Sequence, residues 1–171
     1  MRSLVVYESW FGNTQRLAEK IAGALAEEGN VELVSVDDPL PSLDDVDLIV
    51  LGAPTHVHGL SSARSRKAAI EQGGAGELGI GARDWIARLP DEGGPRVAVF
   101  DTRAHRPELL VGSAAHGMAR RLRRRGYRLV GEPESFFVEG TEGPLEESEL
   151  ERAWWWAWTL ANKAMRKAVM I

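Results

Sequence analysis

The chain has 171 residues and no cysteine, which excludes disulfides, thiolate chemistry, cysteine-ligated metals and iron–sulfur clusters. Any redox role therefore depends on a borrowed cofactor. No apolar run approaches the ~18 to 20 residues that a membrane span requires. The apolar run Leu4 to Tyr7 follows a single basic residue, Arg2, and ends at Glu8, too short for a secretory h-region, so a cytoplasmic location is the expectation. Positive charge is not in excess either: the net charge of −4 favours neither nucleic acid nor a membrane as a bulk partner. No His, Asp or Glu group has metal-ligand spacing, since His56 and His58 stand only two apart without partners. Ser61-Ser62 form no nucleophile elbow, which leaves hydrolysis unsupported. What is present, 44% apolar and 27% charged residues, suits a globular protein, and the length suits one domain over residues 1–171.

Short apolar runs alternate with helical patterns, and that alternation predicts a parallel α/β sheet. The runs are Leu4 to Tyr7, Val31 to Val36, Val46 to Gly52, Arg96 to Phe100, and Arg128 to Val130 with a resumption near Ser135 to Val138. Leu48-Ile49-Val50-Leu51 and Val97-Ala98-Val99-Phe100 are apolar at successive positions, as in central strands covered on both faces. Helices are read over Thr14 to Glu28, Ser62 to Gln72, Ala82 to Leu89, Ser113 to Arg125 with Gly126 as C-cap residue, and Glu147 to Val169. Ligands of such sheets bind beyond the carboxyl ends of the strands, here the loops Glu8 to Asn13, Ala53 to Leu60 and Asp101 to Gly112.

The first of these loops runs from strand to amphipathic helix through Ser9-Trp10-Phe11-Gly12-Asn13-Thr14. A helix start leaves unpaired N–H groups and the positive end of a dipole facing the loop, and Ser9, Asn13 and Thr14 offer side-chain donors beside them. The result is an anion site fit for a terminal phosphate. Position by position, Val5, Val6, Tyr7, Ser9, Gly12, Thr14, Ala18 and Ile21 resemble the flavin-phosphate signature of flavodoxins, with Ser in place of Thr at the first hydroxyl position. The resemblance covers nearly the whole chain. It implies a three-layer α/β sandwich with a five-stranded parallel sheet of order 2-1-3-4-5 and noncovalently bound FMN. Segments at Phe100 to Arg103, Gly112 to Ala115, Glu134 to Val138 and Gly143 to Leu145 also resemble a group of small flavodoxin-like proteins common in actinobacteria.

By that likeness Pro54, Thr55, His56, Val57 and Gly59 border the isoalloxazine ring, with His56 at the aromatic position. His56 either stacks on or donates to the flavin, or is an exposed loop residue, as is His58. Asp101, Thr102 and Arg103 border the ring from the third loop. Flavodoxins place amides and carboxylates at the pyrimidine end of the ring, whereas this loop carries Arg103 and Arg106. At ~4 to 6 Å and an effective dielectric near 20, a guanidinium would favour the reduced anion by a few kcal/mol. The other reading is that both arginines are solvated or pair with Asp101 or Glu108. Gly112 to Ala115 opens a helix whose N–H groups are expected to meet flavin oxygens or a substrate. Trp10 either shields the ribityl chain or ring, or packs in the core.

Three signals carry less. Gly74-Ala75-Gly76-Glu77-Leu78-Gly79 spells a dinucleotide fingerprint but follows a helix instead of a strand. Arg120 to Arg125 reads as a solvated helix face, with docking of an acidic redox partner as the sharper alternative. Trp154-Trp155-Trp156-Ala157-Trp158 cannot all face one core. Trp154, Trp155 and Trp158 are expected on the sheet, and Trp156 outside as a candidate homodimer contact. The expectation is an FMN-binding electron carrier with no catalytic residue, serving a redox protein partner or a small-molecule acceptor. The alternatives are a small NAD(P)H:quinone-type oxidoreductase, binding substrate through Arg103, His105 or His58, and a flavin-free interaction module.

Overall fold

The computed structural model describes residues 1–56, 59–74, 79–91 and 93–168. The strands β1 (Arg2–Tyr7), β2 (Asn30–Ser35), β3 (Leu48–Pro54), β4 (Arg96–Ala104) and β5 (Glu134–Val138) form one sheet of order β2-β1-β3-β4-β5. Every pairing is parallel, and the register sets Val5 beside both Leu33 and Val50, Val50 beside Ala98, and Phe100 beside Glu134. The helices are α1 (Asn13–Ala26), α2 (Ala63–Glu71), α3 (Ala82–Arg88), α4 (Glu108–Val111), α5 (Ala114–Arg124) and α6 (Glu149–Ala168).

Alternate strand residues point to opposite faces, so the central strands feed two cores. Leu4, Val6, Ile49, Leu51, Val97 and Val99 pack with Trp85 and Ile86 of α3 and Met118 and Leu122 of α5. Val5, Leu48, Val50, Ala98 and Phe100 pack with Leu17, Ile21 and Leu25 of α1 and with Ala157, Leu160 and Ala161 of α6. Each fully buried Leu or Ile contributes about 1.5–3 kcal/mol relative to exposure. The expected α/β sandwich and its strand order are what the structure has. Helix α5 ends as its Gly126 suggested, with Tyr127 N–H donating to the Leu122 carbonyl at 3.0 Å.

Most boundaries shift by one or two residues and the short helix α4 lies within the third loop, and two further differences bear on the site. The third loop begins later, because β4 continues from Phe100 through Ala104, where β5 supplies hydrogen-bonding partners from Glu134 to Val138. Arg128 to Val130 makes only a local bridge to Val97, so the resumption after Gly131 is the fifth strand. The tryptophans also distribute differently. Trp156 packs inward, its ring edge-on to Phe100 at 5.9 Å and Phe136 at 5.8 Å, while Trp155 and Trp158 are 57% and 43% exposed. The reason lies in Ala153, Ala157, Ala161 and Ala164, all buried, whose small side chains set which face of α6 lies on the sheet. Trp154 is partly buried on the same core, with Lys20 Nζ 5.0 Å from its ring centre. Among the described residues, no helix is long and apolar enough to cross a membrane.

Candidate functional site

At the carboxyl ends of β1, β3 and β4 the sheet opens into a cleft of about 130 Å³, between the β1–α1 loop and the turn after β5. Its wall is built from Ser9, Trp10, Phe11, Asn13 and Thr14 on one side and Pro54, Thr55, Thr102 and Arg103 on the other. Ala104, Val138, Gly140 and Thr141 complete it. These last four were not singled out from the sequence. The extension of β4 and the β5 register bring them in, and no local motif announces either.

The loop turns into α1 at Gly12, whose φ of +85° is the left-handed conformation that glycine adopts without strain. No side chain caps the helix at this residue. Ser9 Oγ instead accepts the Gln15 N–H at 3.2 Å, which leaves its own proton free to donate. Among the described residues, the N–H groups of Trp10, Phe11, Gly12, Asn13 and Thr14 meet no protein acceptor. Helix starts in this state attract anions. Thr14 and Thr102, both buried, share a hydrogen bond of 2.8 Å between their hydroxyls. Two hydroxyls hold two protons, and their mutual bond uses one, so the pair retains one proton to offer. Among the lining residues there is no carboxylate, and Arg103 contributes a positive charge. The volume, set against about 30 Å³ per liquid water, leaves room for a phosphate group and part of a polyol chain. The residues present therefore fit a phosphate monoester.

Several assigned roles change in the folded protein. Asn13 points its amide at the Glu142 carbonyl, 2.7 Å away, and so anchors the turn after β5 while lining the cleft. Asp101 is fully buried and does not line the cleft. Its Oδ2 accepts from Ser113 Oγ at 2.6 Å, Ala115 N–H at 2.9 Å and Thr55 Oγ1 at 3.1 Å. It is a positioning residue that ties β4 to the β3 loop and to the start of α5. The α5 amides are likewise occupied: Ala114 N–H donates to Thr55 Oγ1, Ala115 N–H to Asp101 and His116 N–H to Ser113 Oγ. They are not available to flavin oxygens, because a buried carboxylate and two hydroxyls satisfy them first.

His56 is not on the cleft wall; its backbone pairs with that of Gly59 through bonds of 2.7 and 2.8 Å. Burial lowers its pKa below the ordinary 6.5, against the pull of Glu8 and with the help of Arg66. Gly59 lines a different pocket. Val57 and His58 lie outside the described residues, as does most of the 74–79 glycine segment. Trp10 is both buried and part of the cleft wall. It is 5% exposed and donates from Nε1 to Glu8 Oε1 at 2.9 Å.

Arg103 lines the cleft, but its guanidinium donates from Nε to Ser135 Oγ at 3.0 Å and from Nη1 to the Arg106 carbonyl at 2.8 Å. It also lies over Phe137, 5.1 Å from the ring centre. Neither arginine pairs with Asp101 or Glu108, and the Arg106 side chain is exposed. His105 stacks on Phe137 at 4.1 Å and pairs with Glu146 at 3.1 Å.

An open sheet of order 2-1-3-4-5 with an anion loop after its first strand defines the flavodoxin-like class of α/β proteins. A flavodoxin-domain family model matches residues 4–66. Solved structures match far more. A flavodoxin from the domain Archaea is 20% identical over 96% of this chain and 99% of that one, with a TM-score of 0.66. Oxidised flavodoxin 2 from Bacillus cereus is 26% identical over 95% and 99%, with a TM-score of 0.65. Flavodoxin 1 of the same organism is 22% identical over 95% and 98%, with a TM-score of 0.66. A sequence search of the curated proteins gave no match. The chain has the flavodoxin-like fold, and its first third matches the flavodoxin-domain model.

Proposed function

We propose that this protein binds FMN noncovalently in the cleft and carries electrons to and from a redox protein partner. The observation that carries this reading is the set of unpaired amides at residues 10–14, with the Ser9 hydroxyl and the Thr14–Thr102 pair beside them, in a cleft without a carboxylate among its lining residues. The bound flavin would supply reversible electron transfer; the chain's part is to hold and shield it. The β1–α1 loop would take the phosphate, Thr102 and Trp10 would wall the polyol, and Pro54, Thr55 and Arg103 would border what lies beyond.

The carrier role gains support from the engagement of Arg103 and His105, two of the groups through which a reductase would bind substrate. His105 is stacked on Phe137 and hydrogen-bonded to Glu146, and Arg103 is tethered to Ser135 and to the Arg106 carbonyl. No acid–base residue is required for electron transfer, and a small, transient contact with the partner suffices.

The test is an absorption spectrum after incubation with FMN and gel filtration, followed by anaerobic photoreduction. Retained yellow colour that bleaches in two resolved one-electron steps is the expected result. Bleaching in a single two-electron step would favour a NAD(P)H:quinone-type reductase. A colourless protein that takes up no FMN would leave an interaction module.

A further inference from the structure

On the other side of the Thr55 loop a second pocket of about 230 Å³ is lined by Gly59, Leu60, Arg83, Ser113, Arg120 and Arg121, with Gly117 at its base. Three guanidinium-bearing residues from two helices share it, and its lining contains no carboxylate. Four arginines elsewhere have acidic partners: Arg66 with Asp84, Arg125 with Asp91, Arg2 with Glu32, and Arg152 with Glu134 and Glu149. Among the described residues, Arg83, Arg120, Arg121 and the neighbouring Arg124 pair with no acidic side chain.

Arg121 is held by a bond from Nη1 to the Gly117 carbonyl at 3.2 Å, which fixes its fork and leaves further N–H groups unspent. Gly117 contributes no side chain, so the floor stays open between Leu60 and Arg121. Burial and the like charges of Arg83, Arg120 and Arg124 all press the Arg121 pKa down. An uncompensated cluster of like charge at a concave surface is relieved by a bound anion, and the guanidinium fork matches the oxygens of a phosphate.

We propose that this pocket between α3 and α5 is an anion site that takes the phosphate group of a small phosphorylated molecule. It is separate from the phosphate loop at residues 9–14 and stands whether or not FMN binds there. The two sites meet through Asp101, whose Oδ2 accepts from Thr55 in the cleft wall and from Ser113 in the pocket wall. The volume exceeds that of a bare phosphate, leaving space for the group esterified to it.

The test is a titration of the full-length, ¹⁵N-labelled protein with inorganic phosphate, compared with chloride at equal ionic strength. Saturable shifts are expected at the amides of Gly59, Ser113 and Gly117 and at the Nε–H signals of Arg83 and Arg121. Arg83→Gln with Arg121→Gln should weaken that response at least tenfold, and Ser9→Ala should leave it in place. Arg83→Gln alone, at an exposed position, gives the same direction if the double variant does not fold. Equal shifts with chloride, or an undiminished response in the arginine variants, would overturn the proposal. So would binding of an acidic peptide by these residues without any response to phosphate.

Discussion

The Thr14–Thr102 hydroxyl pair joins fold and site in one bond, and its removal can be followed in both. Thr14→Val keeps the shape and deletes the hydroxyl, leaving the buried Thr102 Oγ1 without its 2.8 Å partner. An unsatisfied buried hydroxyl costs about 1–3 kcal/mol, so each single valine variant should lose about 1–2 kcal/mol of stability. The double variant removes both polar groups, and its loss should fall short of the sum by about 1 kcal/mol. For FMN the logic differs. Either hydroxyl left alone still has a proton to offer, so each single variant should weaken binding only a few-fold. Thr14→Val combined with Ser9→Ala should weaken it at least tenfold, equivalent to about 1.4 kcal/mol, although part of the loss in stability comes from Thr102 and not from the ligand. Urea denaturation of the four-member cycle and fluorescence titration with FMN supply the two measurements. Strictly additive stabilities would refute the buried pair, and unchanged FMN affinity in the Ser9/Thr14 variant would refute the phosphate loop.

Other perturbations separate interior from surface. Trp156→Ala should cost about 3–5 kcal/mol, whereas Trp155→Gln at 57% exposure should change stability by less than about 0.5 kcal/mol; the reverse ranking in thermal denaturation would contradict the orientation of α6. Gly81→Ala places a methyl 2.5 Å from Ser61 Oγ and 2.7 Å from Arg66 Nη1. Such crowding should destabilise by about 1–3 kcal/mol, read as a lower denaturation midpoint. His56 has a folded pKa below its ordinary 6.5, so the unfolded chain binds the proton more readily. Its contribution is therefore intact above pH 6.5 and is lost as pH falls from there toward the folded value. His56→Gln should flatten that part of the stability–pH curve, and an unchanged slope would exclude His56 as its source. Arg103→Glu should lower the reduction potential of bound FMN; a redox titration without a shift would place the charge out of reach of the ring.

Local chemistry made much of this protein legible in advance. The apolar runs of β1, β3 and β4 demanded a covered parallel sheet, and Gly126 stopped α5. The Ser9-to-Thr14 segment marked an anion loop because it supplies hydroxyls, a permissive glycine and a helix start in one short stretch, a purely local property. Whether its neighbours reach the same cleft is a matter of register. The pairing of β5 with Phe100–Ala104 carried Arg103 and Ala104 into the strand and set Val138, Gly140 and Thr141 against the loop. Burial decided Asp101, since three donors converge on one of its oxygens away from the cleft. Helix rotation decided the tryptophans: a run of adjacent indoles gives no preferred face, and the buried alanines at 153, 157, 161 and 164 provided one. Compensation of charge was decided last, because Arg120 to Arg125 look alike along the chain. Only the packing of α5 against α3 separates Arg125, paired with Asp91, from Arg121, which faces Arg83 across an open pocket.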